Sequence, residues 1–252
     1  MWKPKSKDSV HVIAESALRS YLTTILEMQR DMGLKAWAAR PGIQEKLPGF
    51  TVKLGFGLHF GWAVECTIGS HHKIDASYLS PHVNLASRLE AATKQYGVSI
   101  LISGETHQLF SRPVKKKCRY IDRVIVKGAS NAMRLYTYDC PSLESCGGEI
   151  RDDVNLSTHV LDLQTFFDVI EPGPCCTHDF TKTWGLGMIA YLGGNDGRKA
   201  DWRKAKTSFG KCLQMRAGDG PATALLAYMD AHSTPQGDAP PDWSGYRTLT
   251  EK

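Results

Sequence analysis

The sequence predicts an α+β fold followed by a small all-helical module, and three observations carry that reading. Apolar residues recur at helical spacing in two stretches, 10–32 and 82–96, and short β-type runs lie between and after them. A stretch rich in Pro, Ser and Gly between Cys140 and Arg151 then separates this part from a segment that reads as three helices. The expected division is a first domain over 1–142, a linker over 143–170 and a helical module over 171–252.

Taken in order, Ala14, Ala17, Leu18, Tyr21, Leu22, Ile25 and Met28 predict an amphipathic helix that Gly33 should stop. Residues 35–50, with Pro41 and Pro48, read as irregular. Thr51–Phe60 and Trp62–Ile68 read as adjacent strands of a hairpin broken at Gly61, and 70–81 as a polar loop. Val83, Ala86, Leu89, Ala92 and Tyr96 restore the helical period, and Gly97 supplies a left-handed cap. Ser99–Ile102 predicts a buried strand, Gly104–Phe110 a short helix, and Tyr120–Val126 and Met133–Tyr138 two strands joined by a turn at Lys127-Gly128. Beyond the linker, 180–192, 199–215 and 221–232 predict three helices. Trp184, Tyr191, Ala205, Phe209 and Leu213 are spaced as in a tetratricopeptide-type hairpin. The tail past Thr234 is expected to be extended and to dock through Trp243 and Tyr246.

The chain has 252 residues, 42% of them apolar and 23% charged, which is enough to bury a core. A net charge of +5 with interspersed acids does not predict nucleic-acid binding, and the cluster Arg112, Lys115, Lys116, Lys117 and Arg119 reads as a solvated loop before a strand. Seven scattered cysteines without C-x-x-C spacing read as reduced cytoplasmic thiols. No run reaches the ~18 apolar residues of a membrane span, and the N-terminus lacks an apolar signal segment. The three glycines of Gly55-x-Gly57-x-x-x-Gly61 lie within strands, outside the strand-to-helix setting of a dinucleotide fingerprint. His71-His72 and Glu65 read as exposed polar residues.

The stretch from Ile74 to Glu90 carries the chemistry. Asn84 and Arg88 are four residues apart, so they share a helix face near its N-terminus, where free N–H groups and the dipole favour phosphate. Spacing alone fits the wet side of a helix as well as it fits a nucleotide site.

Four motifs in order decide between them: Gly55-Phe56-Gly57-Leu58-His59-Phe60-Gly61, Ile68-Gly69-Ser70, Val83-Asn84-Leu85-Ala86-Ser87-Arg88-Leu89, and Asp122-Arg123-Val124-Ile125-Val126-Lys127-Gly128. Over about residues 50–140 they resemble the second half of the class III adenylate and guanylate cyclase catalytic domain. The resemblance implies a ferredoxin-like α+β fold with a helical tail of the algal and protist type. It implies that Asn84 orients the ribose, that Arg88 stabilises charge on the transferring phosphoryl group and that Lys127 binds the triphosphate. The purine-reading position, seven before the Asn, would be Ser77, which leans towards ATP over GTP; Asp75 is the rival if the loop register is shifted.

The family binds two divalent cations, Mg2+ or Mn2+, through two aspartates that precede the helix beginning near Val10, and neither motif is present. The domain is therefore expected to be N-terminally truncated, without metal ligands of its own, and inactive alone. The expected partners are ATP or GTP and a second cyclase domain, in a cytoplasmic setting with the parent protein open to membrane attachment. Two alternatives stay open: a non-catalytic nucleotide-binding partner of a complete cyclase domain, and an interaction module residing in the helical tail.

Overall fold

The computed structural model describes residues 7–126, 131–139, 162–170, 177–193 and 199–249. Helix α1 (Lys7–Arg30) follows the predicted period, and Leu18, Leu22 and Leu26 face Phe166, Phe167 and Ile170 in a buried cluster. Phe166 and Phe167 belong to α7 (Leu163–Val169), in a segment to which the sequence assigned no form. Gly33 is not a stop. The Asp31 carboxylate accepts from Leu34 N at 3.0 Å and starts α2 (Met32–Ala38), in which Gly33 lies. Pro41 then opens α3 (Pro41–Lys46), so residues expected to be irregular are two short helices whose signals were start signals.

The strand pairing differs from the expected hairpin. Strand β1 (Phe56–Leu58) pairs parallel with β4 (Ile100–Ser103), whereas β2 (Val64–Gly69) pairs antiparallel with β3 (Ile74–Leu79) in a separate two-stranded sheet. The supposed polar loop therefore contains a strand, and Gly61 separates two sheets instead of turning one. Helix α4 (Pro81–Tyr96) ends at Gly97 with φ of 61°, as the sequence implies. After the wholly buried β4 come α5 (Gly104–Leu109) and α6 (Arg112–Lys117), so the basic cluster is helical at its centre. Strands β5 (Cys118–Val126) and β6 (Met133–Tyr138) pair antiparallel with a register shift between Tyr120 and Asp122.

The helical segment comprises α8 (His178–Leu192), α9 (Trp202–Met215) and α10 (Gly220–His232). Phe180, Trp184, Tyr191 and Phe209 share one buried cluster with Leu89, Tyr96, Leu101 and Val124 from α4 and the sheet. Polar contacts reinforce this: Trp184 Nε1 donates to Tyr120 O at 2.7 Å, and buried Arg119 pairs with Asp139 at 2.7 Å and with Asp219 at 3.0 Å. Trp243 docks as expected, donating to Tyr191 O at 3.0 Å. Beyond it the tail forms a strand the sequence did not predict, β7 (Arg247–Leu249), parallel to β5. The large sheet thus has the order β1-β4-β6-β5-β7 in a mixed α+β arrangement. The expected boundary near 142 lies outside the described residues.

Candidate functional site

Helix α4 holds Asn84 and Arg88, and its first turn is built with care. Ser80 is the N-cap: its Oγ accepts from His82 N at 3.0 Å and donates to Trp62 O at 2.5 Å, while Pro81 occupies the first helical position. Three glycines let the chain run close under the helix. A Cβ on Gly55 would strike Thr93 and Glu90, one on Gly57 would strike Ala86 and Glu90, and one on Gly61 would strike the His82 ring. The glycine run thus tracks α4 from its C-terminal half to its first turn. Its function is close packing, which the rejected fingerprint reading did not supply.

Asn84 is exposed and Arg88 half-buried, one turn apart on the same side of α4. Asn84 closes the first turn of α4 and Arg88 lies one turn further in, so an anion beside them would meet a planar guanidinium within about a turn of the helix's positive end. Ser77 and Asp75 are two apart on β3 and so share a face of the hairpin; Ser77 is half-buried opposite Cys66, and exposed Asp75 pairs with Lys73 at 3.0 Å. The chain passes from them through Leu79 and Ser80 directly into α4. Lys127 lies outside the described residues, one position beyond the end of β5.

A polar cluster beside α4 was not singled out in the sequence. His59 Nε2 meets His82 Nδ1 at 2.8 Å, and His59 Nδ1 meets Ser103 Oγ at 2.8 Å. The His59 and His82 rings meet edge to edge, with centroids 5.0 Å apart and planes 23° apart, and Trp62 stands edge-on to His82 at 5.9 Å. Burial lowers the His59 pKa, with Glu105, 4.0 Å away, opposing the shift and His82 adding to it. The available signal was a histidine inside a glycine run, a place where a side chain has little room.

The other end of α4 is locked from within. Tyr96 Oη donates to Asp122 Oδ2 at 2.6 Å, Arg247 Nε donates to the same oxygen at 2.8 Å, and Arg123 N donates to Oδ1 at 2.7 Å. Burial holds the Asp122 carboxyl above the usual carboxylate range, and the Arg247 charge and these hydrogen bonds offset only part of that rise. The carboxylate accepts three bonds, the pattern of an anion. Among the described residues no group of three or more His, Cys, Asp or Glu side chains could hold a metal ion. These described residues do not fit the family's divalent cations.

Against known proteins, the model of the family described as Adenylate and Guanylate cyclase catalytic domain matches residues 10–139. An adenylate cyclase of Anabaena cylindrica is 38% identical over 86 residues, which cover 34% of this chain and 17% of that protein. Adenylate cyclase 1 of Rhizobium meliloti (strain 1021) is 36% identical over 90 residues, 36% of this chain and 13% of the relative. A terminal-differentiation-specific adenylate cyclase of Dictyostelium discoideum is 32% identical over 87 residues, 34% of this chain and 4% of the relative. The matches thus span 17% or less of these relatives. A solved bacterial light-regulated adenylyl cyclase aligns at 20% identity over 42% of this chain and 24% of its own, with a TM-score of 0.25. With its family's match running from α1 through β6, the chain belongs to the adenylate and guanylate cyclase catalytic domain family, class III.

Proposed function

We propose that this chain supplies the ribose- and phosphate-binding half of a purine nucleotide cyclase site. The observation that carries the reading is the pair Asn84 and Arg88, one turn apart near the capped N-terminus of α4, inside the stretch that the family's model matches. Cyclisation joins the ribose O3′ to the α-phosphorus and breaks the bond to the β-phosphate bridge. Pyrophosphate leaves with the electron pair, and the hydroxyl proton is lost to solvent. Such a reaction needs the ribose fixed and growing negative charge neutralised. Asn84 suits the first task; Arg88 and Lys127 suit the second. Ser77 is the proposed purine reader, with Asp75 its rival if the loop register is shifted. A hydroxyl can accept from the adenine amino group or donate to the guanine carbonyl, and ATP is favoured over GTP because the relatives named above are adenylate cyclases.

Turnover then requires a metal-binding half from outside the described residues, and a second cyclase domain is the natural donor. Exposed Phe60, Trp62, Ile68, Ile74 and Tyr78, on and beside the hairpin, support such a partner, because this much apolar surface around one element suits burial against another chain. Among the described residues no helix is long and apolar enough to cross a membrane. A cytoplasmic setting, where ATP and GTP are abundant, is part of the proposal.

The test is binding. Calorimetric titration should give tighter binding of ATP than of GTP, and Arg88→Ala should weaken ATP by about ten- to a hundredfold while sparing adenosine, because a guanidinium on phosphate contributes about 1.5–3 kcal/mol. Equal ATP affinity in the two proteins would remove the assignment.

A further inference from the structure

We infer that His59 and His82 form a proton-limited strut that positions the nucleotide-binding end of α4, an inference resting on the function proposed above. The geometry restricts the pair chemically. An N···N contact of 2.8 Å needs one ring to donate and the other to accept, so at least one of the two facing nitrogens must lack a proton. The folded pair can therefore take up one extra proton but not two. A released pair can take two. Freeing the strut thus becomes easier in acid, by about tenfold per pH unit where the folded pair holds its one extra proton and the released pair holds two.

The strut connects three segments. His59 follows β1, its side chain is 2% exposed, and its other nitrogen meets Ser103 Oγ at the end of β4, which in turn lies 3.1 Å from Thr106 Oγ1 of α5. His82 is in the first turn of α4, two residues before Asn84, with its ring between His59 and Trp62. Glu105 of α5 is the charged group facing His59, at 4.0 Å, and it favours the first proton without removing the bar to the second. The lowered His59 pKa has the matching sign: a base held neutral by folding stabilises fully above its unfolded value, and that contribution is lost as pH falls below it. Neither histidine is asked to touch the nucleotide. Their task is to keep the helix end, and with it Asn84, in one place.

The experiment uses the whole chain and ATP. Wild type should bind ATP about tenfold more weakly at pH 5.5 than at 7.5, beyond the change that ATP's own γ-phosphate titration brings. His82→Asn restores a donor near Nδ1 that cannot titrate. It should flatten the excess slope and hold neutral-pH affinity within about threefold, whereas His82→Ala should lose about tenfold at pH 7.5. ATP's titration is common to all three proteins, so the differences between them read the strut. An excess slope that persists in His82→Asn overturns the inference. Ring-nitrogen NMR of wild type gives a second reading that needs neither a variant nor a ligand. The two histidines should titrate in two separated steps, the second accompanied by shifts of the Ser80–Asn84 amides. Independent ordinary titration of both rings overturns the strut, whatever ATP does. Coupled titration in a chain that binds no ATP at any pH supports the strut and strikes the nucleotide reading instead.

Discussion

The hairpin β2–β3 and the short strand β7 put β structure to opposite uses. The hairpin pairs along its whole length, from Val64 opposite Leu79 to Gly69 opposite Ile74, yet only Cys66 and Ser77 are even half-buried. Strand β7 is three residues long, yet it delivers Arg247 into a buried site where the carboxylate it meets is inaccessible to water. The hairpin is held by its backbone and leaves its side chains available. The tail strand has little backbone to offer and is held by side chains: Arg247 lies 4.9 Å from the Tyr96 ring and 4.8 Å from the Tyr228 ring while pairing with Asp122. Covered surface provides stability; uncovered surface in this family member lies next to the residues proposed for the purine.

The largest break in that contrast should come from Arg247→Ala. It leaves Asp122 fully buried with its opposite charge removed, and losing one partner of a buried pair costs about 3–5 kcal/mol. Urea denaturation should show this as a lower midpoint, and Arg247→Lys should recover part of it. A loss below about 1 kcal/mol would mean that the tail strand is an attachment and not part of the core.

A smaller effect is expected at β1, which is short like β7 but owes its place to the absence of side chains. Gly57→Ala forces a Cβ into the backbone of α4 at Ala86 and Glu90, and overpacking of this kind costs about 1–3 kcal/mol. Gly42→Ala is the matched control. No atom lies within 4 Å of the added carbon and the site is helical, so a change of less than about 1 kcal/mol, towards greater stability, is expected. Equal effects at the two glycines would refute the close-packing role of the glycine run.

How much of this was legible depended on where each element's determinants lie. Helix α4 and its Gly97 cap follow from local period and a left-handed glycine, so the proposed pair Asn84 and Arg88 sits on a helix the sequence foresaw. Strand β3 was missed because exposed Ile74, Asp75 and Tyr78 give no alternation of buried and open positions, and the strand exists through its ladder to β2. Gly61 was misread as a turn because a glycine needed for contact with His82, twenty-one positions later, looks the same in sequence as one needed for a bend. Asp122 left a trace, since it shares parity with buried Val124 and Val126 on β5, but nothing local reveals that its partner is Arg247, 125 residues away. Lys127 lies outside the described residues, so its role rests on the family resemblance and on its position after β5.

The smallest stability effect should come from the hairpin, and it sharpens the comparison most. Ile68 and Ile74 are 52% and 73% exposed, so replacing both with Thr removes apolar surface that already faces water. Thermal unfolding of Ile68→Thr/Ile74→Thr should match wild type within about 0.5 kcal/mol, as exposed positions away from caps and ion pairs usually do. The backbone ladder asks nothing of these side chains, and threonine suits a strand as well as isoleucine does. If the exposed face is the surface that a second cyclase domain covers, the same variant should associate more weakly. Sedimentation of wild type and variant over a range of concentrations reads this directly. Weaker association at unchanged stability would assign the hairpin's side chains to a partner. Lowered stability with unchanged association would mean that they pack against their own chain, and the contrast between the two sheets would fall.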